Sequence, residues 1–184
     1  CDMRSTLRYL RTTPDGRIAL GVGGEPGAWN GRVDGRFRTE ETGTRHAVEA
    51  IHRFFPSFRD VPIEARWGGP IDVAGTHTPY AGTLSGGHVH YALGYTGNGV
   101  APSHLFGRIL ASRVLGVEND LTRLPFVDME PKRFPPEPLR SLGIALANEA
   151  TVRRDDALDA GRRPNALVDF VARLPRRLGY HLGP

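Results

Sequence analysis

The sequence predicts an α+β fold in which a mainly antiparallel sheet is flanked by helices and followed by a helical C-terminal tail. Short apolar segments near the N-terminus are joined by turn residues, as in β-hairpins. Longer segments repeat apolar residues at helical spacing. One apolar strand segment runs through a glycine-rich turn directly into such a helix. The chain has 184 residues, of which 39% are hydrophobic, and this is enough to bury a core.

The first part of the chain predicts a hairpin and a helix. Strand segments Leu7–Thr13 and Arg17–Gly23 flank Pro14-Asp15-Gly16, where proline presets the turn and glycine accepts a positive φ. A loop is expected over Gly24–Thr39, which is rich in glycine and polar residues. Thr44–Phe55 then shows helical spacing, and the proline that follows ends the helix.

The middle of the chain predicts four further strands. Val61–Trp67 is the first, and a Gly-Gly-Pro sequence breaks it. Ile71–Val73 and Tyr80–Leu84 are short strand candidates around another turn. His88–Gly94 is the strand that enters the glycine-rich turn.

The second half of the chain predicts three helices. Val100–Leu115 carries an apolar stripe, and Gly116 follows it as a C-terminal stop. A connector punctuated by prolines comes next. Leu139–Leu158 and Asn165–Leu174 are then expected to be helical.

The turn between the last strand and the helix is the most informative feature of the sequence. Gly94, Gly97 and Gly99 leave backbone N–H groups bare beside the positive end of a helix. Such a place can hold an anion, or a carbonyl oxygen that gains negative charge. An ordinary glycine-rich turn before a helix has the same pattern, and the residues alone leave both interpretations open.

Charge excludes one class of partner. The chain has 24 Lys and Arg against 20 acidic residues and a net charge of +4. Lys132 is the only lysine, and the arginines are scattered rather than gathered in a dense basic run. No nucleic-acid partner is therefore expected.

The ends and the cysteine content predict a compartment. Cys1 is the only cysteine, so no internal disulfide can form. No apolar run is long enough to span a membrane, and no signal peptide is visible. We therefore expect a cytoplasmic protein without a membrane partner. The chain lacks an initiating Met and enters a strand segment within a few residues, so it is expected to be excised from a longer protein.

Five short motifs occur in order along residues 7–125. They are Tyr9–Arg17 with Gly21 and Gly23-Gly24, Phe55-Pro56, Trp67–Pro70 with Asp72, Pro79 with Gly82, and Gly94–Val100. In this order and spacing they resemble the C-terminal half of the FAD-dependent oxidoreductases of the D-amino acid oxidase (DAO) superfamily, of the glycine oxidase and gamma-glutamylputrescine oxidase type. The dinucleotide fingerprint G-x-G-x-x-G of the Rossmann half is absent from the sequence.

The resemblance implies a division of labour along the chain. Residues 1–86 would be a β-rich substrate-binding region, and residues 87–124 the C-terminal portion of the FAD-binding domain, which returns as a strand, a turn and a helix. Residues 125–184 would be a proline-rich connector and a helical tail. The missing partner would be the N-terminal Rossmann half of the same protein, which grips the ADP part of FAD.

The resemblance also implies a cofactor site. The residues that would approach the N1–C2=O edge of the flavin form one continuous segment. They are Gly94, Tyr95, Thr96, Gly97, Asn98, Gly99 and Val100. Many relatives carry a different polar residue, often His, where this chain has Asn98, so the resemblance implies no specific role for that side chain.

Three residues are candidates for contact with substrate, each with an alternative. Arg11 could bind a carboxylate or form a surface ion pair. Trp67 could form a pocket wall over the flavin or lie in the core, and Tyr95 could reach substrate or only pack. His88 and His90 share one face of a strand without an evident third ligand, so no metal site is predicted. No catalytic side chain is assigned, as suits an enzyme whose cofactor carries the chemistry.

The implied function is oxidation of an amine or amino acid by hydride transfer to FAD. Whether oxygen or another acceptor reoxidises the flavin stays open, so an acceptor-linked dehydrogenase is an alternative to an oxidase. The chain by itself is expected to hold little or no FAD and to be inactive. A non-catalytic binding module is the rival interpretation, in which the connector and the tail helices dock a partner.

Overall fold

The computed structural model describes residues 2–23, 29–33 and 41–181. Within them it has four α-helices and two antiparallel pairs of strands, which confirms the α+β class. In chain order the elements are β1 (Arg8–Thr12), β2 (Ile18–Val22), α1 (Glu41–Phe54), β3 (Tyr80–Thr83), β4 (His90–Leu93), α2 (Val100–Val114), α3 (Leu139–Asp159) and α4 (Ala166–Arg177). Most of the predicted loop Gly24–Thr39 lies outside the described residues.

The chain divides into two compact units. One contains residues 1–70 and 135–174, and the other contains residues 71–134 and 175–183. The predicted region boundaries after residues 86 and 124 stay a prediction. None of the helices in the described part of the chain is long and apolar enough to cross a membrane.

The first unit opens with the predicted hairpin. β1 and β2 pair antiparallel, with Leu10 opposite Leu20. The Thr13 N–H donates to the Arg17 carbonyl at 2.9 Å to close the turn, and Gly16 adopts a φ of +83°. A residue with a Cβ is strained at this φ, so the glycine of the Pro-Asp-Gly turn stands where the backbone requires one.

The first helix is confirmed with a shifted start. α1 begins at Glu41 rather than at the predicted Thr44. The Phe55 N–H still donates to the Ile51 carbonyl at 2.8 Å, and Pro56 then starts a short 3-10 turn. Proline has no N–H to continue the helical pattern, so the predicted end is correct.

Two predicted strands, Val61–Trp67 and Ile71–Val73, are wrong. Neither segment belongs to a sheet or has other regular secondary structure. Their large apolar side chains are between 42% and 76% exposed. β-Branched residues form a strand only where a second strand supplies hydrogen bonds, and the described residues place no such strand beside these segments.

The second unit contains the other hairpin. β3 and β4 pair antiparallel with Ala81 opposite Ala92, within the predicted strands Tyr80–Leu84 and His88–Gly94. Ala81 also accepts from the Asp128 N–H at 2.8 Å, so the chain after α2 returns to the edge of this hairpin.

The core of the second unit lies between this hairpin and α2. Phe106 and Ile109 of α2 are 2% and 0% exposed and cluster with Ala81. The ring of Tyr95 meets Phe106 edge to face, with centroids 5.6 Å apart. Because Tyr95 lies between β4 and α2, this contact fixes where the helix begins relative to the strand.

The tail helix α3 is joined to the N-terminal segment by a buried arginine. The Arg4 guanidinium donates to Asp159 at 2.6 Å and to Asp156 at 2.8 Å, and it lies 3.8 Å from Asp155. Only 6% of the Arg4 side chain and 2% of the Asp155 side chain are exposed. The Thr6 N–H donates to Asp155 at 3.0 Å. Buried charges persist when they are paired and hydrogen-bonded, so the network fixes the N-terminal segment to α3.

We expect Arg4→Met to lower the free energy of unfolding by about 3 kcal/mol, because the change takes the buried guanidinium away from three carboxylates. The buried Asp155 is then left with Arg154, 3.8 Å away, as a counter-charge. Urea denaturation followed by circular dichroism measures it. Arg17→Met is the matched control, since the ion pairs of Arg17 with Asp15 and Glu64 are both exposed and their loss should have little effect. An Arg4→Met variant as stable as the wild type would contradict the proposed weight of the network.

The same network predicts a pH dependence. Partial burial opposes ionisation of Asp159, but the hydrogen bond and charge of Arg4, helped by Arg53 and Arg8, outweigh it and lower the pKa of Asp159. Asp159 therefore contributes stability above its unfolded pKa of about 4, and this is lost as the pH falls through the lower folded pKa. The difference between wild type and Arg4→Met should narrow as the pH falls below about 4.

Candidate functional site

The predicted cofactor residues lie together in one turn, residues 94–100, which we call the glycine turn. Gly94 and Gly97 have φ of +80°, and Thr96 between them has φ of +51°. Glycine adopts such angles readily, but a β-branched threonine does not. Other interactions must therefore compensate for the conformation of Thr96.

Asp72 holds the glycine turn from two sides. Its carboxylate accepts from the Gly94 N–H, and its backbone carbonyl accepts from the Thr96 N–H at 3.1 Å. Asp72 belongs to the segment predicted as a strand, and its backbone and side chain bind the turn instead of a neighbouring strand. These two bonds fix the direction of the backbone on both sides of Tyr95.

Thr96 completes the arrangement with its side chain. Its hydroxyl donates to the Gly94 carbonyl at 3.1 Å and accepts from the Ala74 N–H at 3.1 Å. The residue is only 9% exposed, so these bonds form away from water. An unpaired buried polar group costs about 1–3 kcal/mol, and the pairing of the Thr96 hydroxyl and the Ala74 N–H therefore offsets the strained φ.

From Gly97 to the start of α2, four backbone N–H groups remain available. Within the described residues, those of Gly97, Gly99, Val100 and Ala101 donate to no backbone carbonyl, and we call them the open donors. The Thr96 and Asn98 N–H groups, by contrast, are used inside the protein. No side chain caps α2, and its first turn has no acidic residue. The open donors therefore stand at the positive end of a helix dipole.

The glycines of the turn have different reasons to be glycine. A Cβ on Gly94 would lie 2.9 Å from the Cβ of Ala74 and 2.9 Å from the ring of Tyr80. Gly99 has an ordinary φ of −74°, and its added Cβ would meet Tyr95 at 3.6 Å, a normal contact distance. The fold therefore requires glycine at 94 but not at 99. A glycine at 99 suits close approach of another molecule to the backbone.

Tyr95 is the one substrate candidate in the same unit as the glycine turn. Burial, and then the charge of Asp72, raise the pKa of Tyr95, so its phenol stays protonated at neutral pH. Its ring packs on Phe106, as described above. Arg11 is exposed on β1, and Trp67 is 76% exposed in the segment outside any sheet. Their roles toward a substrate stay predictions.

His88 and His90, which were predicted to share a strand face, belong to no group of potential metal ligands among the described residues. His90 Nδ1 lies 2.8 Å from the Thr83 hydroxyl. Among residues 2–23, 29–33 and 41–181, no group of three His, Cys, Asp or Glu side chains could hold a metal ion.

Another histidine, which the sequence did not single out, contacts the glycine turn. His77 Nε2 lies 3.0 Å from the Asn98 side-chain nitrogen, and His77 Nδ1 lies 3.1 Å from the His181 carbonyl oxygen. No local pattern gives this contact, because 21 positions separate His77 from Asn98.

Comparison with known proteins identifies relatives. The family model described as FAD dependent oxidoreductase (DAO) matches residues 1–113, which include the glycine turn. The probable oxidoreductase OrdL of Haemophilus influenzae is 32% identical over 127 residues, which cover 66% of this chain and 25% of the relative. The gamma-glutamylputrescine oxidoreductase of Escherichia coli is 31% identical over 115 residues, covering 62% of this chain and 25% of the relative.

A second probable OrdL, from Rhizobium meliloti, is 28% identical over 123 residues, which cover 67% of this chain and 26% of the relative. The chain thus spans about a quarter of the length of the curated relatives it matches. No solved structure matches it significantly.

We expect Gly94→Ala to lower the free energy of unfolding by about 2–4 kcal/mol, because it combines a left-handed φ with overpacking against Ala74 and Tyr80. Gly107→Ala is the matched control. Gly107 lies inside α2 with open space around it, so alanine there should stabilise the helix by about 0.5–1 kcal/mol. Urea denaturation of both variants measures the contrast. Equal effects of the two changes would contradict the structural role of Gly94.

Proposed function

Because the chain belongs to the DAO family of FAD-dependent oxidoreductases, we propose that it acts, within a longer protein, in the oxidation of an amine or amino acid, and that the glycine turn holds the pyrimidine edge of the flavin. One observation carries the proposal. Four N–H groups between Gly97 and Ala101 have no internal acceptor among the described residues, and one of them belongs to Gly99, a glycine that the fold does not require.

The chemistry of the donor set fits this cofactor. The N1–C2=O edge of a flavin is electron-rich and accepts hydrogen bonds, which the open donors can supply. The helix dipole adds about 0.3–1 kcal/mol of stabilisation for negative charge at this end. The Gly99 backbone has no Cβ to hold a planar ring away from these N–H groups.

FAD, when bound, supplies the acceptor for a hydride from the C–H beside the amine nitrogen. The residues of this chain supply a fixed electrostatic environment. Asp72 and Thr96 hold the open donors in place before any reaction, so no reorganisation is needed when negative charge develops. Removing a single donor from such a site typically costs about 2.7–4 kcal/mol of transition-state stabilisation.

The amine class of substrate has support from one relative. The Escherichia coli relative is named a gamma-glutamylputrescine oxidoreductase. Arg11, Trp67 and Tyr95 remain the candidates for substrate contact in this proposal. Tyr95 can donate a hydrogen bond from its protonated phenol, and Arg11 could bind a carboxylate.

The other half of the cofactor site must come from elsewhere in the longer protein. The sequence lacks the G-x-G-x-x-G fingerprint that binds the pyrophosphate of a dinucleotide. We therefore expect residues 1–184 alone to retain little FAD and to show no turnover. A cytoplasmic location belongs to the same proposal.

The test uses the full-length protein that contains this chain. We expect it to purify with FAD and to oxidise members of a panel of amines and amino acids. Release of peroxide would identify an oxidase, and reduction only of an added acceptor dye would identify a dehydrogenase. Bound FAD with no reaction toward any amine or amino acid would contradict the proposed substrate class.

A variant pair tests the placement of the flavin. We expect Gly99→Ala to lower FAD content at least about tenfold, while its cost to folding stays below about 1 kcal/mol. Gly107→Ala should retain FAD fully. Unchanged FAD content in a folded Gly99→Ala protein would contradict the placement.

A further inference from the structure

Two hydrogen bonds around His77 determine which way the Asn98 carboxamide faces. His77 Nδ1 lies 3.1 Å from the His181 carbonyl oxygen, which can only accept, so Nδ1 carries the proton. In the neutral ring Nε2 is then an acceptor. Asn98 must meet it with its NH₂ group, and the Asn98 side-chain nitrogen is 3.0 Å away.

A second acceptor enforces the same orientation. The Asn98 side-chain nitrogen also lies 3.4 Å from the Thr96 carbonyl oxygen. A flipped carboxamide would bring its oxygen toward this carbonyl and leave the nitrogen of His77 without a donor. The Asn98 Oδ1 atom accepts no hydrogen bond among the described residues. Asn98 therefore offers an acceptor beside the open donors.

The backbone that carries His77 belongs to the segment that holds the glycine turn. His77 follows shortly after Asp72, and its N–H donates to the Ala74 carbonyl at 3.0 Å. The His181 carbonyl is held in turn, because the His181 N–H donates to the Gly75 carbonyl at 2.9 Å. His77, and the His181 carbonyl that orients its ring, are thus both held by contacts within the second unit.

We propose that Asn98 Oδ1 accepts a hydrogen bond from N3–H of the flavin and that His77 is the residue that positions it. The pyrimidine edge of a flavin places C2=O, an acceptor, beside N3–H, a donor. The glycine turn offers the complementary order, with backbone donors followed by a side-chain acceptor. The inference rests on the proposed function, since it assigns a second contact to the same flavin edge.

The experiment compares binding of FAD and of 3-methyl-FAD, which lacks the N3–H donor, to the full-length apoprotein. We define the preference as the Kd for 3-methyl-FAD divided by the Kd for FAD. For the wild type we expect a preference of about tenfold or more. Asn98→Ala removes the acceptor and should narrow this preference by about fivefold, the effect of one hydrogen bond. His77→Gly should narrow it similarly. Glycine suits this position because the backbone of His77 has a φ of +59°, which glycine adopts without strain.

Two further variants separate positioning from general damage. His77→Gln should keep the preference of the wild type, because its carboxamide still offers an N–H to the His181 carbonyl and an acceptor oxygen to the Asn98 NH₂ group. In the double variant His77→Gly/Asn98→Ala, the preference should equal that of Asn98→Ala alone, since His77 acts through Asn98.

The outcomes are distinct. An Asn98→Ala protein with the preference of the wild type would overturn the N3–H contact. The positioning role of His77 would be overturned if the two single changes reduced the preference additively in the double variant. It would also be overturned if His77→Gln reduced the preference as much as His77→Gly. A full-length protein that binds neither flavin would overturn the proposed function itself, whereas one that binds both equally well would overturn only this inference.

Discussion

The candidate site depends on the two hydrogen bonds between Asp72 and the glycine turn. The turn uses left-handed backbone angles at Gly94, Thr96 and Gly97. For a residue with a Cβ this conformation costs about 1–2 kcal/mol. Asp72 offsets the cost with two hydrogen bonds, one from its carboxylate and one from its carbonyl. The same bonds commit the Gly94 and Thr96 N–H groups to internal acceptors, whereas the open donors that follow have none within the described residues.

Buried polar residues help to organise both units, because few large apolar side chains are fully buried in the described residues. Among the described residues, Phe106 and Ile109 are the only large apolar residues that are no more than 2% exposed. In the second unit, Thr96 organises the glycine turn. In the first unit, Arg4 and Asp155 organise the attachment of α3 to the N-terminal segment. The sequence left the role of the tail open. The structure gives α3 a part in holding the N-terminal segment in place.

Local signals explain what could be predicted from the sequence. The hairpin of β1 and β2 follows from its Pro-Asp-Gly turn, and the helices follow from apolar spacing and from the proline or glycine near their ends. The glycine turn was recognised because its glycines lie between a strand and a helix. These features are determined by residues within a few positions of one another, so the predicted types were correct and mainly the boundaries shifted.

Partners distant in sequence explain what could not be predicted. Val61–Trp67 and Ile71–Val73 have the composition of strands, but a strand also needs a neighbour, and composition does not report one. Asp72 and His77 contact the glycine turn across 22 and 21 positions. A Gly-Pro sequence followed by an aspartate shows no periodicity that indicates such a contact. The distinction between Gly94 and Gly99 depends on the space around each Cα, which only the structure shows.

Hydrogen exchange of individual backbone amides in the full-length protein tests the central claim most directly. The amides of Gly97, Gly99, Val100 and Ala101 should exchange rapidly without FAD and slowly with it, because the flavin edge becomes their acceptor. The Thr96 and Asn98 amides should be protected in both states, since their acceptors are internal. Binding of FAD without any slowing at the open donors would contradict the assignment of the glycine turn to the flavin.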